Sequence, residues 1–301
     1  MASRAGGKTA GRLVSVPPLL YLIAFFALPT LLMVVASFRS PGEFGGLAPL
    51  VGADGAIDLN LESYGRFFGE PIYFQIFLKS VITAFLTTLT CLLLAYPLAM
   101  VIARSSKRRR DLMLLLVILP FWSNFLIRIY AWMIILGPQG ALARAVDWLL
   151  SMMGAEPVSL LFSPFAVMVC LVYVHLPFMV LPLYANLEKH DQALLDAAQD
   201  LGANGWQRFW RVTFPLSLPG VYAGAALVFI PALGIFAIPD ILGGPNDTLI
   251  GNIIKQQFLE TRDWPFGSVL SIMLTVAALA LAALAAWIGR AGGARARRNG
   301  A

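Results

Sequence analysis

The chain has 301 residues, of which 59% are hydrophobic and only 13% are charged. Because soluble domains carry about a quarter charged residues, this composition excludes a water-soluble globular protein. Both cysteines lie within apolar runs and lack metal-ligand spacing, which argues against a disulfide or a metal site.

Six apolar blocks follow one another along the chain, each long enough to cross the hydrocarbon of a bilayer, which takes about 20 residues. Open sheets leave backbone groups unsatisfied in lipid, so these blocks are expected to be helices. We therefore predict an all-α, polytopic membrane protein with six transmembrane helices, the first of them an uncleaved anchor. The predicted spans are Leu13–Phe38, Lys79–Ala103, Leu112–Leu136, Phe162–Leu187, Leu216–Ile238 and Phe266–Gly289.

The distribution of charge predicts how these spans are oriented. Basic residues cluster in Arg104–Arg110, between the second and third spans, and again after the last span. Because cytoplasmic loops of membrane proteins are enriched in Lys and Arg, both termini are expected in the cytoplasm. The net charge of +6 is thereby explained without a nucleic-acid partner. Acidic residues dominate the opposite segments, of which Arg39–Ile72 is the longest.

The predicted organisation has three parts. Residues 1–74 contain the N-terminal segment, the first span and an outer loop, and residues 290–301 form a basic cytoplasmic tail. Residues 75–289 contain the other five spans and a cytoplasmic loop at residues 188–215. No pair of matching half-chains is visible, unlike in carriers that are built from inverted repeats.

The loop between the fourth and fifth spans has the pattern of two short helices. Gly202 suits the C-terminal end of the first helix, and Asn204 suits the cap of the second. The first helix has an apolar face, made by Leu194, Leu195, Ala198 and Leu201. Two interpretations remain open at this point: a protruding helical knuckle that binds a partner, or an amphipathic connector on the membrane surface, anchored by Trp206 and Trp210.

The same loop resembles that of type I ABC importer permeases. Their pattern is Glu-Ala-Ala, three residues, Gly, nine residues, then Ile-x-Leu-Pro, and this chain keeps the spacing with Asp, Val and Phe as conservative replacements. The matching residues are Asp196, Ala197, Ala198, Gly202, Val212 and Pro215. The resemblance implies the type I importer permease fold and an ATPase-coupling role for these residues.

Partners follow from the same resemblance. The sequence contains no Gly-x-x-x-x-Gly-Lys-Ser/Thr loop for a nucleotide, so the chain is not expected to be an enzyme or to contain catalytic residues. The resemblance implies that ATP and Mg²⁺ bind to partner subunits and that this chain binds no cofactor. It also implies two ATPase subunits, a second homologous permease subunit, a periplasmic solute-binding protein and the lipid of a bacterial inner (cytoplasmic) membrane.

Four further segments are similar to the first permease subunit of spermidine/putrescine importers: Leu119–Tyr130, Leu176–Tyr184, Leu249–Ile254 and Arg262–Gly267. This resemblance implies a translocation path for a polyamine. Permeases for opines and ferric iron share parts of the pattern, so another small solute is an alternative. A secondary transporter or channel is a rival of a different class, but the cores of the six spans lack the acids that ion coupling uses.

Polar and aromatic residues in or near the spans are candidates for the substrate path. An arginine in a span is costly unless it pairs or lines a cavity, and aromatic faces bind ammonium groups. Most of them also have a structural interpretation: Arg128 as a snorkelling side chain or in a structural salt bridge, the aromatics in packing or as interface anchors, and Asp240 as a cap of the next segment. The candidates are Trp122, Asn124, Arg128, Tyr130, Tyr173, Tyr184 and Asp240.

Overall fold

The computed structural model describes residues 16–51 and 58–298. The first three residues of the predicted first span, the basic residues before it, and residues 299–301 of the predicted tail lie outside that part. The described helices are α1 (Val16–Ser37), α2 (Glu62–Gly69), α3 (Pro71–Arg104), α4 (Lys107–Ile118), α5 (Phe125–Leu136), α6 (Ala141–Met152), α7 (Pro164–Leu187), α8 (Gln192–Asp200), α9 (Gly205–Leu233), α10 (Ala237–Leu242), α11 (Ile250–Leu259) and α12 (Trp264–Arg298).

The described part contains six helical segments that are long and apolar enough to cross a membrane. The prediction of an all-α polytopic protein is therefore confirmed. Several ends of the spans differ from the prediction. Helix α3 begins at Pro71, eight residues before the predicted start, and α9 ends at Leu233, where Gly234 forms the C-cap. The predicted end at Ile238 instead lies in the short helix α10.

The prediction of one continuous helix over Leu112–Leu136 is wrong. Helix α4 ends at Ile118, a 3₁₀ turn covers Leu119–Trp122, and α5 begins only at Phe125. Pro120 is the physical reason, because proline lacks the N–H that a helix interior requires. Helices α4 and α5 have 12 residues each, about 18 Å, so each alone is too short to cross ~30 Å of hydrocarbon. Together they are long enough.

Helix α6 follows α5 after the turn at Gly137–Gly140, and α5 with α6 also forms a long apolar segment. However, α6 carries Arg144 and Asp147 and is amphipathic. We therefore take α4 and α5 as the third crossing, and α6 as part of the segment that follows it.

The side of the membrane on which residues 188–215 lie is called the loop side, and the opposite side is called the far side.

The described residues form two compact units by their internal contacts. The smaller unit contains Met1–Phe74 and Ile253–Thr275, and the larger contains Gln75–Asn252 and Val276–Ala301. The predicted division into residues 1–74, 75–289 and 290–301 follows the order of spans and loops and not internal contacts, so it stays a prediction.

In the smaller unit, a buried arginine organises the segment after α1. The Arg39 Nε donates to Asp58 Oδ2 at 3.1 Å, and its Nη2 donates to the Ala48 carbonyl at 2.7 Å. The backbone N–H and the hydroxyl of Ser40 donate to the same carboxylate at 2.9 and 2.8 Å. The Ser40 N–H, the Ser40 hydroxyl and Arg39 together hold the pKa of Asp58 below its ordinary value, against a smaller opposing effect of burial.

In the larger unit, the main packing contact joins α7 and α9. Gly220 and Gly224 of α9 are buried and four residues apart, so they lie on one helix face. A Cβ added at Gly220 would lie 2.7 Å from the Cβ of Asn186, and one added at Gly224 would lie 2.6 Å from the Met179 sulfur. The glycines therefore allow the two backbones to approach closely, as small residues do in many membrane-helix pairs.

We predict that Gly220→Leu destabilises this helix pair, because the added side chain would overlap Asn186 and the Pro182 carbonyl of α7. Overpacking of this kind costs about 1–3 kcal/mol. The measurement is thermal unfolding of the detergent-solubilised protein. Ala223→Leu is the matched control, since Ala223 lies on the exposed face of the same helix; equal effects of the two substitutions would contradict the assigned interface.

Candidate functional site

The loop between α7 and α9 is built from local caps that its sequence specifies. Asp191 caps α8, its Oδ1 accepting from the Ala193 N–H at 2.9 Å. Gly202 ends the helix with φ +82°, a left-handed conformation that suits glycine. Asn204 and Gln207 then form a reciprocal capping box, with bonds of 2.9 and 3.0 Å. The predicted helix, glycine stop and second helix are all present.

The two arms of the loop are also fastened to each other. The Arg208 Nη1 donates to the Gln199 Oε1 at 2.7 Å across the Gly202 turn. The second arm continues through a π-helical turn at Phe209–Thr213 into the rest of α9 without interruption. An aromatic cluster supports this junction, and its members are Tyr96, Trp206, Phe209, Trp210 and Phe214. The loop is therefore a rigid extension of a membrane helix.

The loop exposes apolar side chains, among charged ones, that the described residues leave largely uncovered. Leu201 is 89% exposed and Leu194 is 49% exposed, and Ala197 is also exposed. Beside it, a cavity of about 580 Å³ lies between the loop-side end of α3 and the two arms. Arg104, Asp196 and Arg208 line this cavity. Of the other three matched residues, Ala198 and Val212 are half-buried and Pro215 is exposed.

The break in the third crossing brings together three of the predicted path residues. Asn124 caps α5, its Oδ1 accepting from the Leu126 N–H at 2.8 Å. The Arg128 Nη1 donates to the Pro120 carbonyl at 2.8 Å. Trp122, the last residue of the 3₁₀ turn, is 76% exposed. Tyr130 lies further along α5 and is 51% exposed.

The structure does not bring the other three candidates to the break. Tyr173 is partly buried and packs edge-on against Trp132, with ring centroids 5.5 Å apart. Tyr184 lies at the loop-side end of α7, close to Glu188. Asp240 lies on α10, on the far side, where it lines a cavity of about 510 Å³. The seven candidates are thus spread along the depth of the membrane.

The cavity at Asp240 has a mixed lining in which Asp240, Thr248 and Asn252 are the polar side chains. The Asn252 Nδ2 donates to Asp240 Oδ1 and also, at 3.0 Å, to the Phe236 carbonyl. Gly243, Gly244 and Thr248 complete one side. The connection after α10 is held in place by Asp247, which accepts from the Gly244 N–H at 3.0 Å and forms an ion pair with Lys79 at 3.3 Å. A carboxylate is therefore held at the mouth of a rigid, open cavity.

Sequence reasoning missed Asn252, the Lys79–Asp247 pair and a second ion pair on the loop side. There, the Arg110 Nη1 donates to Glu188 Oε1 at 2.5 Å, which joins the start of α4 to the end of α7. Residues so far apart in the chain give no local signal that they meet. The break at Pro120 did have a signal, because a proline within an apolar helical pattern ends or kinks the helix.

Comparison with known proteins identifies the family. Residues 95–298, more than half of the chain, match the family described as "Binding-protein-dependent transport system inner membrane component". The chain is 43% identical over 258 residues to the spermidine/putrescine transport system permease protein PotB of Escherichia coli, covering 85% of this chain and 89% of that protein. It is 44% identical over 260 residues to PotB of Haemophilus influenzae, covering 85% and 86%.

More distant matches agree with this family. The molybdenum transport system permease protein ModB of Mycobacterium bovis is 32% identical over 206 residues, covering 67% of this chain and 74% of that protein. A bacterial alginate ABC transporter, solved in complex with an alginate-bound periplasmic protein, shares the fold with a TM-score of 0.73 at 17% identity, covering 93% of each chain. This chain therefore belongs to the family of inner-membrane components of binding-protein-dependent transport systems, and it is a multi-pass permease.

Proposed function

We propose that this chain is a permease subunit of an ATP-driven importer and that its solute is a polyamine. The observation that carries the substrate class is the identity of 43–44% to spermidine/putrescine permeases over 85% of the chain. The chemistry of the far-side cavity supports it, because Asp240 offers a fixed negative charge to an entering ammonium group. Exposed aromatic rings at Trp122 and Tyr130 offer cation–π faces further along the path.

We propose that the loop at residues 188–215 docks on a cytoplasmic ATPase subunit. Three features support this role: the two arms of the loop are hydrogen-bonded to each other, apolar side chains are exposed on its surface, and it continues directly into a membrane helix. ATP and Mg²⁺ would bind to two such ATPase subunits, since the sequence has no phosphate-binding loop of its own. ATP-driven closure of these subunits would move the loop and, with it, α9.

The same proposal fixes the orientation and the remaining partners. Arg104, Arg110 and Arg208 lie on the loop side, whereas Asp240 and Asp247 lie on the far side. By the positive-inside rule the loop side is cytoplasmic, and both termini are on that side. A second, homologous permease subunit would complete the path, and a periplasmic solute-binding protein would deliver the polyamine to the far side.

The substrate path runs, in this proposal, from the Asp240 cavity past the break at Leu119–Asn124. Exposed irregular backbone does not occur against lipid, where water cannot satisfy its polar groups. Ser123 and Asn124 have non-helical backbones and exposed side chains, so this stretch must face either a polar cavity or another protein subunit. Tyr173 and Tyr184 of α7 would line the deeper parts of the same path.

The test is purification of the tagged chain, with its partners, from its own membranes. We expect an ATPase, a second permease and a binding protein to copurify, and the complex in proteoliposomes to accumulate radiolabelled spermidine or putrescine when ATP is supplied. Ferric iron and an opine are the competitors to include. ATP-dependent uptake of one of these without polyamine uptake would overturn the substrate; uptake in the absence of any ATPase would overturn the class of transporter.

We predict that Asp240→Asn raises the KM for spermidine uptake about tenfold, the equivalent of ~1.4 kcal/mol, because the cavity loses its negative charge. The amide keeps an oxygen that Asn252 can bond, so the local fold should persist. Initial uptake rates at several spermidine concentrations provide the measurement. Glu156→Gln is the control, since this exposed carboxylate follows α6 and is not among the residues that line the cavity. An unchanged KM in Asp240→Asn would exclude a role in cation entry.

We further predict that Gly202→Ala weakens ATPase binding, whereas Gly205→Ala does not. A Cβ at either position would meet nothing within 4 Å, but only Gly202 has a positive φ. An L-residue in that conformation costs about 1–2 kcal/mol, so alanine should displace the α8 arm. The readout is the amount of ATPase that copurifies with each variant. Equal recovery of the ATPase by both would argue against a required turn geometry.

A further inference from the structure

The carbonyl of Pro120 accepts three hydrogen bonds at the break in the third crossing. In an unbroken helix the N–H of Asn124 would donate to it. Here the chain leaves the helical conformation at Ser123 and Asn124, with ψ of 151° and 139°. Three donors converge on the carbonyl instead: the Ser123 N–H at 3.3 Å, the Ser123 hydroxyl at 2.8 Å and Arg128 Nη1 at 2.8 Å.

These donors differ in what they join. Ser123 belongs to the break itself, so its two bonds tighten the 3₁₀ turn locally. The cap from Asn124 acts only on the start of α5. Arg128 lies one turn inside α5 and reaches back to the 3₁₀ turn, so its bond joins α5 to the turn that follows α4. Of the side-chain bonds to this carbonyl, it is the one that comes from within α5.

The surroundings of Arg128 favour this role over a direct role in binding a cation. Its guanidinium carbon lies 5.2 Å from the centre of the Phe121 ring, in the 3₁₀ turn, and 5.9 Å from that of Phe125, at the start of α5. Its neighbour Ile129 is fully buried in the core that α5 forms with α7 and α10. Hydrogen bonding and cation–π contact thus hold the charge of Arg128 to the backbone of the break.

We propose that Arg128 is a positioning residue that holds the third crossing broken at Leu119–Asn124 and thereby keeps Trp122 and Asn124 facing the path. The proposal rests on the path described under the proposed function, and it gives the arginine an indirect part in transport. A planar, permanently charged guanidinium suits the task, because it can donate to a carbonyl while its faces contact aromatic rings.

The experiment uses the complete importer with Arg128→Met, Arg128→Lys and, as a control, Arg144→Met. Methionine keeps length and apolar contact but donates no hydrogen bond; lysine can still donate one to Pro120. Arg144 is an exposed arginine on α6, away from the break. The geometry of the break is followed by spin-label distances between cysteines placed at Leu115 and Ile134, which are 44% and 72% exposed, with Cys91 and Cys170 replaced by alanine.

We expect Arg128→Met to broaden the distance distribution and shift it toward the value of a straight helix, about 28 Å for 19 residues. Spermidine uptake should fall about tenfold, as expected for the loss of one charge-assisted hydrogen bond, at an unchanged KM. Arg128→Lys should restore much of both properties, and Arg144→Met should leave both as in the wild type. A change in Vmax alone separates positioning from direct binding of the solute.

Three results would overturn the proposal. Unchanged distances in Arg128→Met would show that the break does not depend on the arginine. Changed distances with normal uptake would show that its geometry does not matter for transport. A raised KM with unchanged distances would assign Arg128 to solute binding. Trp122→Ala tests the proposed substrate path independently of Arg128. Normal uptake in Trp122→Ala would overturn that path. Shifted distances in Arg128→Met would still support the role of Arg128 in positioning the break.

Discussion

Backbone amides and carbonyls that lie in hydrocarbon have no water to bond with, so each must find a partner inside the protein. That constraint accounts for the long helices that make up the membrane-spanning part of this chain. It accounts equally for the places where the helices stop. After Gly234 the chain leaves the helix, and the carbonyl of Phe236 accepts from the Asp240 N–H and from the Asn252 side chain. At Pro120 the freed carbonyl is taken up by Arg128 and Ser123.

Polar side chains inside this membrane protein bond to backbone groups. Asn124, Arg128 and Asn252 are candidates, or neighbours of candidates, for substrate contact, and each is bonded to the main chain. A path built from interrupted helices needs such residues, since every interruption creates backbone groups without a helical partner. The side chains that are proposed to line the path would then also satisfy the backbone of its walls.

The sequence alone predicted what depends on local chemistry. Asp191, Gly202 and Asn204 specify the loop through caps that involve residues within three positions of one another. The apolar blocks specify the number of spans. Pro120 is also a sequence signal for the break, but the length of the apolar block around it favours one continuous helix, and that prediction is wrong. Partners such as Lys79 with Asp247, or Arg110 with Glu188, were beyond prediction, because they meet only after distant helices have packed. The same holds for Gly220 and Gly224, whose spacing is visible but whose neighbours on α7 are not.

The continuity of α9 has a mechanical consequence. Its 29 residues extend about 43 Å, and the helix continues through the prolines at 219 and 231. Between Gly205 and Leu233 the helix is unbroken, and Gly234 is the first non-helical residue. A displacement of the Gly205 end would therefore be transmitted along α9 to Gly234, a few residues before Asp240. The turn at Gly234 and the Asp240 carboxylate lie at the same end of α9, so a movement of the loop on one side of the membrane would reach the cavity on the other.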